Sequence, residues 1–316
     1  MTSSTPHGAQ SRWIDLDGPA HWLDYGGPAD GPLIVCVHGL GGSALNWAAI
    51  APVLAETHRV VAIDLAGFGH TRGGARSTSV HANQRLLHGF LTECVGTPAI
   101  LIGNSMGGLI SILQAAERHD TVAGLILVDP ALPIALWSRP DPRVLTTFAS
   151  FLVPAVSRRL LAQRRDSSTA EEAARSLLAL CCADPSRVPE EVVDLHIGLA
   201  EKRREYVDVD SEMIAAAQSL MFVLADRRKY AAMQKAIDVP VLLLHGDQDR
   251  LVSIASARAA AAANPTWQFE EARGIGHVPQ LEAPQWTLDK IQTWLARHPA
   301  VTDVAAQAKP LIKRAG

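Results

Sequence analysis

The sequence predicts an α/β fold, a mostly parallel sheet with helices on both faces and a helical insertion after the sixth strand. Short Val, Ile and Leu runs recur at 33–37, 60–63, 99–102, 125–128 and 241–244, each bounded by Gly, Pro or Asp. Runs that are apolar throughout suit strands buried on both faces, as in a parallel sheet. Helix-length segments at 47–56, 81–95 and 106–118 separate them, giving β-α alternation with right-handed crossovers. The alternation stops at 133 and resumes only after 235.

Ahead of the alternation, segments 12–16 and 21–25 flank Asp17-Gly18-Pro19, a turn signal that predicts an antiparallel edge hairpin. The interruption holds helical stretches at 146–158, 170–182, 190–204 and 211–225. Structureless connections that long are rare in compact domains, so a helical cap over 133–235 is expected, with 1–132 and 236–300 forming the core. The sheet resumes with a strand at 241–244, a helix at 254–263, a strand near 267–270 and a last helix at 283–296. The small-residue tail 301–316 is expected to fray.

Composition excludes several functions. The chain has 316 residues, 48% hydrophobic and 19% charged, enough apolar material for a large core without staples. Its net charge of −3 offers no long-range attraction for nucleic acid or an anionic membrane. Cys36, Cys94, Cys181 and Cys182 lack C-x-x-C spacing and read as small buried apolar residues of a reducing compartment. Neither a signal peptide nor an eighteen-residue apolar span is apparent, so a soluble cytoplasmic protein acting on a small molecule is expected, as monomer or homodimer. No cofactor or metal is expected. There is no P-loop or H-x-x-x-H, and Asp247 with Asp249 lacks the glycine and glutamate of a calcium loop.

The chemistry concentrates in four stretches. Gly103-Asn104-Ser105-Met106-Gly107 is a G-x-S-x-G between a strand and a helix. The turn there must be so tight that the positions two before and two after the serine cannot carry a Cβ, which lifts the hydroxyl above the sheet edge. Ser105 is the expected nucleophile. Its proton needs a base, and His277 in Gly274-Ile275-Gly276-His277-Val278-Pro279 sits in a flexible loop after the last strand. His88, His196 and His298 fall in helical stretches and read as surface or packing residues. The acid that orients the base has three candidates at strand ends. Asp249 in His245-Gly246-Asp247-Gln248-Asp249 is favoured; Asp129 and Asp247 compete, Asp247 also reading as a plain turn residue. His38-Gly39-Leu40-Gly41-Gly42-Ser43 can aim the Leu40 amide, with that of Met106, at a developing oxyanion.

These motifs, in this order and with a helical insertion, resemble the α/β-hydrolase superfamily across nearly the whole chain. The Asp64-Leu65-Ala66-Gly67-Phe68-Gly69 loop is similar to that superfamily's D-x-x-G-x-G loop. The resemblance implies an α/β-hydrolase fold, a Ser105, Asp249, His277 triad, an oxyanion hole from Leu40 and Met106, and a cap over the site. Trp137, Phe148, Phe151, Met213, Met221 and Phe222 of the insertion, with Val278, are the candidates for an apolar pocket.

The expected reaction is hydrolysis of a carboxylic ester of small to medium apolar substrates, through an acyl-enzyme. The GNSMGG elbow also resembles that of meta-cleavage product hydrolases, which break C–C bonds; the Leu40-Gly41-Gly42-Ser43 loop and Val278 after the histidine depart from their pattern. Arg158, Arg159, Arg164, Arg165, Arg203 and Arg204 could anchor the carboxylate such a substrate carries, although their pairing suggests solvated helix faces. Two readings of other classes stand beside these. Gly39-Leu40-Gly41-Gly42-Ser43-Ala44 matches a dinucleotide fingerprint with Asp64 as the ribose acid, and the fold alone could serve as a non-catalytic binding scaffold.

Overall fold

The computed structural model describes residues 5, 6, 8–135 and 141–308. Eight strands form one sheet: β1 (Gln10–Asp15), β2 (Pro19–Gly26), β3 (Leu33–Val37), β4 (Arg59–Ile63), β5 (Ala99–Asn104), β6 (Val122–Val128), β7 (Val241–Gly246) and β8 (Gln268–Ala272). Their order is β1-β2-β4-β3-β5-β6-β7-β8. The β1–β2 hairpin joins β4 antiparallel, and every other pairing is parallel.

The unbroken apolar runs have a direct cause. Side chains alternate faces along a strand, and both faces are covered. Val35, Val37, Leu101 and Leu125 pack on one side with Leu109 and Leu113, while Ile34, Cys36, Ile100 and Ile102 pack on the other with Trp294 and Trp47. The covering helices are α1 (Ala51–Leu54), α2 (Val80–Gly89), α3 (Met106–Glu117) and, after an insertion, α10 (Ile254–Ala263), α11 (Pro279–Glu282), α12 (Pro284–Arg297) and α13 (Pro299–Ala305).

Between β6 and β7 lie α4 (Pro142–Phe151), α5 (Pro154–Ser167), α6 (Ala170–Cys181), α7 (Glu190–Arg203), α8 (Val209–Ala225) and α9 (Arg227–Lys235), with no strand among the described residues.

Several boundaries differ from the sequence reading, each for a local reason. The helix expected at 47–56 is a tight turn at Ala44–Trp47 followed by the short α1, which starts around Pro52 because proline has no N–H to give an earlier turn. The helix expected at 146–158 is two helices bent by 115° at Leu152-Val153-Pro154, where the proline ring bars continuation. Helix α9 was not expected; Asp226 caps it by accepting from the Lys229 N–H. The tail does not fray as far as 308: Val301, Ala305 and Ala308 are buried, Val301 and Ala305 against the Trp294 side of the core, while 309–316 lie outside the described residues.

The register brings the strand ends level. Asn104 pairs with Val128, Val128 with Leu244 and Gly246 with Ala272, so the loops leaving β5, β6, β7 and β8 emerge on one edge. The strand order reverses direction between β3 and β5, and in open α/β sheets the crevice beyond the carboxyl ends at such a point takes the ligand.

Candidate active site

Ser105 stands between the end of β5 and the start of α3 with φ 53° and ψ −119°, a left-handed conformation that a residue with a side chain adopts only when its surroundings impose it. The surroundings here are the flanking glycines. A Cβ on Gly103 would sit 2.6 Å from the Gly107 carbonyl oxygen, and one on Gly107 would sit 2.2 Å from that of Val37. The Ser105 N–H is held by the carbonyls of Val128 and Asp129, and its own carbonyl accepts from Leu109 and Ala131.

His277 and Asp249 meet on the same edge. Nδ1 of His277 lies 2.7 Å from Oδ2 of Asp249, both residues buried. Oδ1 of Asp249 accepts from the N–H groups of Leu251 and Val252. Burial alone would raise the Asp249 carboxyl, but His277, His245 and the Val252 N–H hold it below the ordinary carboxylate range. Asn104 ties the histidine loop to the serine turn by donating from Nδ2 to the carbonyls of His277 and Val128. Asp247 is not a turn residue bonding its own loop. Its Oδ1 accepts from the Gly274 N–H, fastening the acid loop to the histidine loop.

Asp129 is fully buried beside this pair, with a carboxylate oxygen within 4.8 Å of one of Asp249 and no hydrogen-bond partner for its Oδ2 among the described residues. Burial, then the charge of Asp249, pushes it well above the usual carboxylate range, and no cation among the described residues offsets it: it accepts from the Gly246 N–H and lies 3.6 Å from Nε2 of His245. His245, Asp129 and Asp249 bring one ligand atom each within 4.8 Å of one another. Nε2 of His245, however, donates its proton to the Val252 carbonyl, and Asp249 is already surrounded by donors, which is the chemistry of a hydrogen-bonded cluster more than of a cation site. The raised proton affinity of Asp129 has a consequence for stability. Above about pH 4 the unfolded chain releases this proton while the folded chain keeps it, so wild-type stability falls as pH rises through that range. Asp129→Asn lacks this loss; its Tm is expected a few degrees above wild type at pH 7 and level with it near about pH 4, as a thermal melt series would show.

The loop after β3 is positioned by His38. Its Nε2 accepts the Leu65 N–H, so the proton resides on Nδ1, which donates to the Gly39 carbonyl. Burial keeps this imidazole below its usual range and therefore neutral. Leu40 lines the cavity and the Met106 side chain is buried at the start of α3. Asp64 accepts from Nδ1 of His21 and from the N–H groups of Ala44 and His70, and a Cβ on Gly69 would lie 2.0 Å from its carboxyl carbon. An aspartate so fully engaged has no oxygen left for a ribose, which removes the basis of the dinucleotide reading.

The inserted helices are latched to the histidine loop, which the sequence did not reveal. The buried Glu282 carboxylate accepts from the Gly276 N–H of that loop and from Ala183 and Asp184 beyond α6. The His277 N–H donates to the Cys181 carbonyl, and Arg250 donates to those of Ala179 and Cys182. Gly276 allows the approach, since a Cβ there would lie 2.3 Å from the Cys181 oxygen.

Between these helices and the sheet edge is a cavity of about 1450 Å³, walled by Ser105, Asp249 and His277 below and by Phe148, Phe151, Met213, Met221 and Val278 among others. Phe222 is not part of it. It lies one residue beyond Met221 on α8, about 100° further around the helix, and is 72% exposed. Trp137 lies outside the described residues. His196, expected to be a surface or packing residue, also faces the cavity while Nδ1 donates to the Val192 carbonyl. Of the paired arginines, Arg203 is half-buried rather than solvated, donating to the carbonyls of Gly67 and Gly69. Arg165 pairs with Asp210, and Arg204 donates to Arg165 and Ser168.

Residues 32–284 match the family model described as the alpha/beta hydrolase fold. The chain is a hydrolase of the alpha/beta hydrolase fold family. It is 27% identical over 277 residues to the dihydrolipoyllysine-residue acetyltransferase component of an acetoin cleaving system from Pseudomonas putida, covering 88% of this chain and 66% of that one. It is 25% identical over 296 residues to monoacylglycerol lipase ABHD6 from Homo sapiens, covering 92% and 83%. The structure of Cfl2 from Burkholderia cenocepacia superposes with a TM-score of 0.75 at 21% identity, covering 92% of this chain and 99% of that one, a likeness of fold.

Proposed function

We propose that the chain is a serine esterase that hydrolyses carboxylic esters with an extended apolar acyl group, using Ser105, His277 and Asp249, with α4 to α9 as a cap over the site. One observation carries the reading. The His277–Asp249 pair, bonded at 2.7 Å, opens with Ser105 onto an apolar cavity.

In this mechanism Oγ of Ser105 attacks the ester carbonyl as Nε2 of His277 takes its proton, and the amides of Leu40 and Met106 stabilise the oxyanion. His277 then protonates the departing alkoxide, and the alcohol leaves. Water repeats the cycle on the acyl-enzyme and releases the acid. Asp249 holds the Nδ1–H tautomer and offsets the imidazolium charge throughout.

Cavity size revises the expected substrate upward. Pockets for small ligands span roughly 300 to 1,000 Å³, and this one, at about 1450 Å³, has room for a long acyl chain. The similarity to a monoacylglycerol lipase agrees with such a substrate. Hydrolysis of a C–C bond would instead need a fixed cation for a dienol carboxylate. Among the arginines facing the cavity, Arg165, Arg203, Arg204, Arg227 and Arg250 already donate to protein acceptors, and Arg164 is exposed on α5.

The expected result is that kcat/KM rises with acyl length across a panel of nitrophenyl esters and exceeds that for a dienol ring-cleavage product by at least about a hundredfold. Equal or reversed preference, with dienol turnover lost in Arg164→Ala, would move the assignment to C–C hydrolysis.

A further inference from the structure

The corner between α4 and α5 exposes Leu152-Val153-Pro154-Ala155-Val156, five consecutive apolar residues, with Leu152 58% exposed. Leu145 on α4 and Leu160 on α5 extend the same apolar surface. An uninterrupted exposed run of this kind lowers solubility and is retained in soluble proteins mainly where something covers it. Leu145 and Leu152 also form part of the cavity wall, so the patch is continuous with the mouth of the site.

Charge identifies what covers it. The two helices hold five arginines, Arg143, Arg158, Arg159, Arg164 and Arg165, against the single Asp166, in a chain whose net charge is −3. Arg165 is paired with Asp210, whereas the guanidinium groups of Arg143, Arg158, Arg159 and Arg164 have no partner among the described residues. Arg159 lies three residues after Val156, and Leu160 four, so cation and apolar surface share one side of α5. A second copy docking through this face would bring like charges together across a two-fold axis. An anionic lipid surface answers both features, taking the apolar corner among its acyl chains and the guanidinium groups among its headgroups. Helices of 10 and 14 residues bent by 115° are too short to cross a bilayer and suited to lie in its interface.

We propose that the α4–α5 corner docks the protein on anionic lipid and places the cavity mouth against it, so that acyl esters enter from the lipid. The entry of esters rests on the esterase reading; the docking does not. The net charge of the whole chain gave no sign of this surface, because the two unpaired cations beside the corner, Arg158 and Arg159, act locally within a Debye length.

Co-flotation with vesicles tests it. The probes are vesicles of phosphatidylcholine alone and of phosphatidylcholine mixed with phosphatidylglycerol. The wild-type chain is expected to partition onto the anionic vesicles at least about tenfold more strongly than onto the neutral ones. V156D/L160D and R158E/R159E are each expected to lose at least about tenfold of that partitioning. None of these four residues forms the cavity wall, so turnover of a soluble short-chain ester should stay at wild-type level in both variants, which also reports that they fold. Hydrolysis of a monoacylglycerol carried in the anionic vesicles should fall with the partitioning. Wild-type protein that stays in solution with every vesicle overturns the proposal, as do variants that float like wild type. Self-association broken by V156D/L160D without vesicle binding would make the corner a dimer contact instead. Flotation of a chain inactive on every ester would uphold docking and overturn the esterase reading.

Discussion

Ser105→Ala is expected to lower kcat for a nitrophenyl ester by at least about 10⁵ while leaving Tm close to wild type. The stability half of this expectation comes from packing. The Ser105 Cβ is the atom that faces Gly39, where an added Cβ would approach it to 2.8 Å, and alanine keeps it. The left-handed φ of 53° is imposed by backbone bonds to Val128, Asp129 and Ala131 that do not involve the hydroxyl. Only Oγ is lost. Oxyanion stabilisation and binding remain, which in serine hydrolases leave a small residual rate over water. Steady-state turnover beside a thermal melt checks both halves, and a variant keeping more than a tenth of the wild-type rate would remove Ser105 from the mechanism.

The serine turn was legible in the sequence because its geometry tolerates few alternatives: a Cβ at Gly103 or Gly107 meets a carbonyl oxygen well inside contact distance, so the glycines announce the turn. The parallel strands were legible for a similar reason, since double-sided burial leaves no polar position in a run such as Leu33–Val37. The pocket walls were not. Helix α8 is apolar on nearly every side, with Ile214, Ala217 and Leu220 buried, Met213 and Met221 facing the cavity and Phe222 facing solvent. Such a helix has no single apolar stripe from which its orientation could be read. Contacts between distant segments were equally hidden. Glu282 reads as an ordinary acidic residue of a short helix until three backbone N–H groups from two other segments are found around it. Arg203 reads as half of a solvated pair, yet it serves the carbonyls of Gly67 and Gly69, more than a hundred residues earlier.

Asp249→Asn is expected to lower kcat by roughly 10⁴, and Asp247→Asn by less than about tenfold. The difference lies in which oxygen each amide would have to replace. At position 249 the Leu251 and Val252 N–H groups both donate to Oδ1, so an asparagine must keep its carbonyl oxygen there. Its NH₂ group then falls where Oδ2 faces Nδ1 of His277 at 2.7 Å. Two donors cannot share that contact, and the imidazole answers by moving its proton to Nε2, the nitrogen that must accept the Ser105 proton. The base is then in the wrong tautomer, and the negative charge that would offset the imidazolium is gone. At position 247 the requirement is only one acceptor for the Gly274 N–H, which an amide oxygen supplies. Steady-state kinetics on one ester for both variants, with Asp129→Asn beside them, decides the assignment. Asp129 accepts from the Gly246 N–H, and burial raises its carboxyl toward the neutral form, while the His277 imidazole is bonded to Asp249, so its asparagine variant should retain most of the activity. A loss near 10⁴ in Asp129→Asn, with Asp249→Asn active, would place the acid at the end of β6.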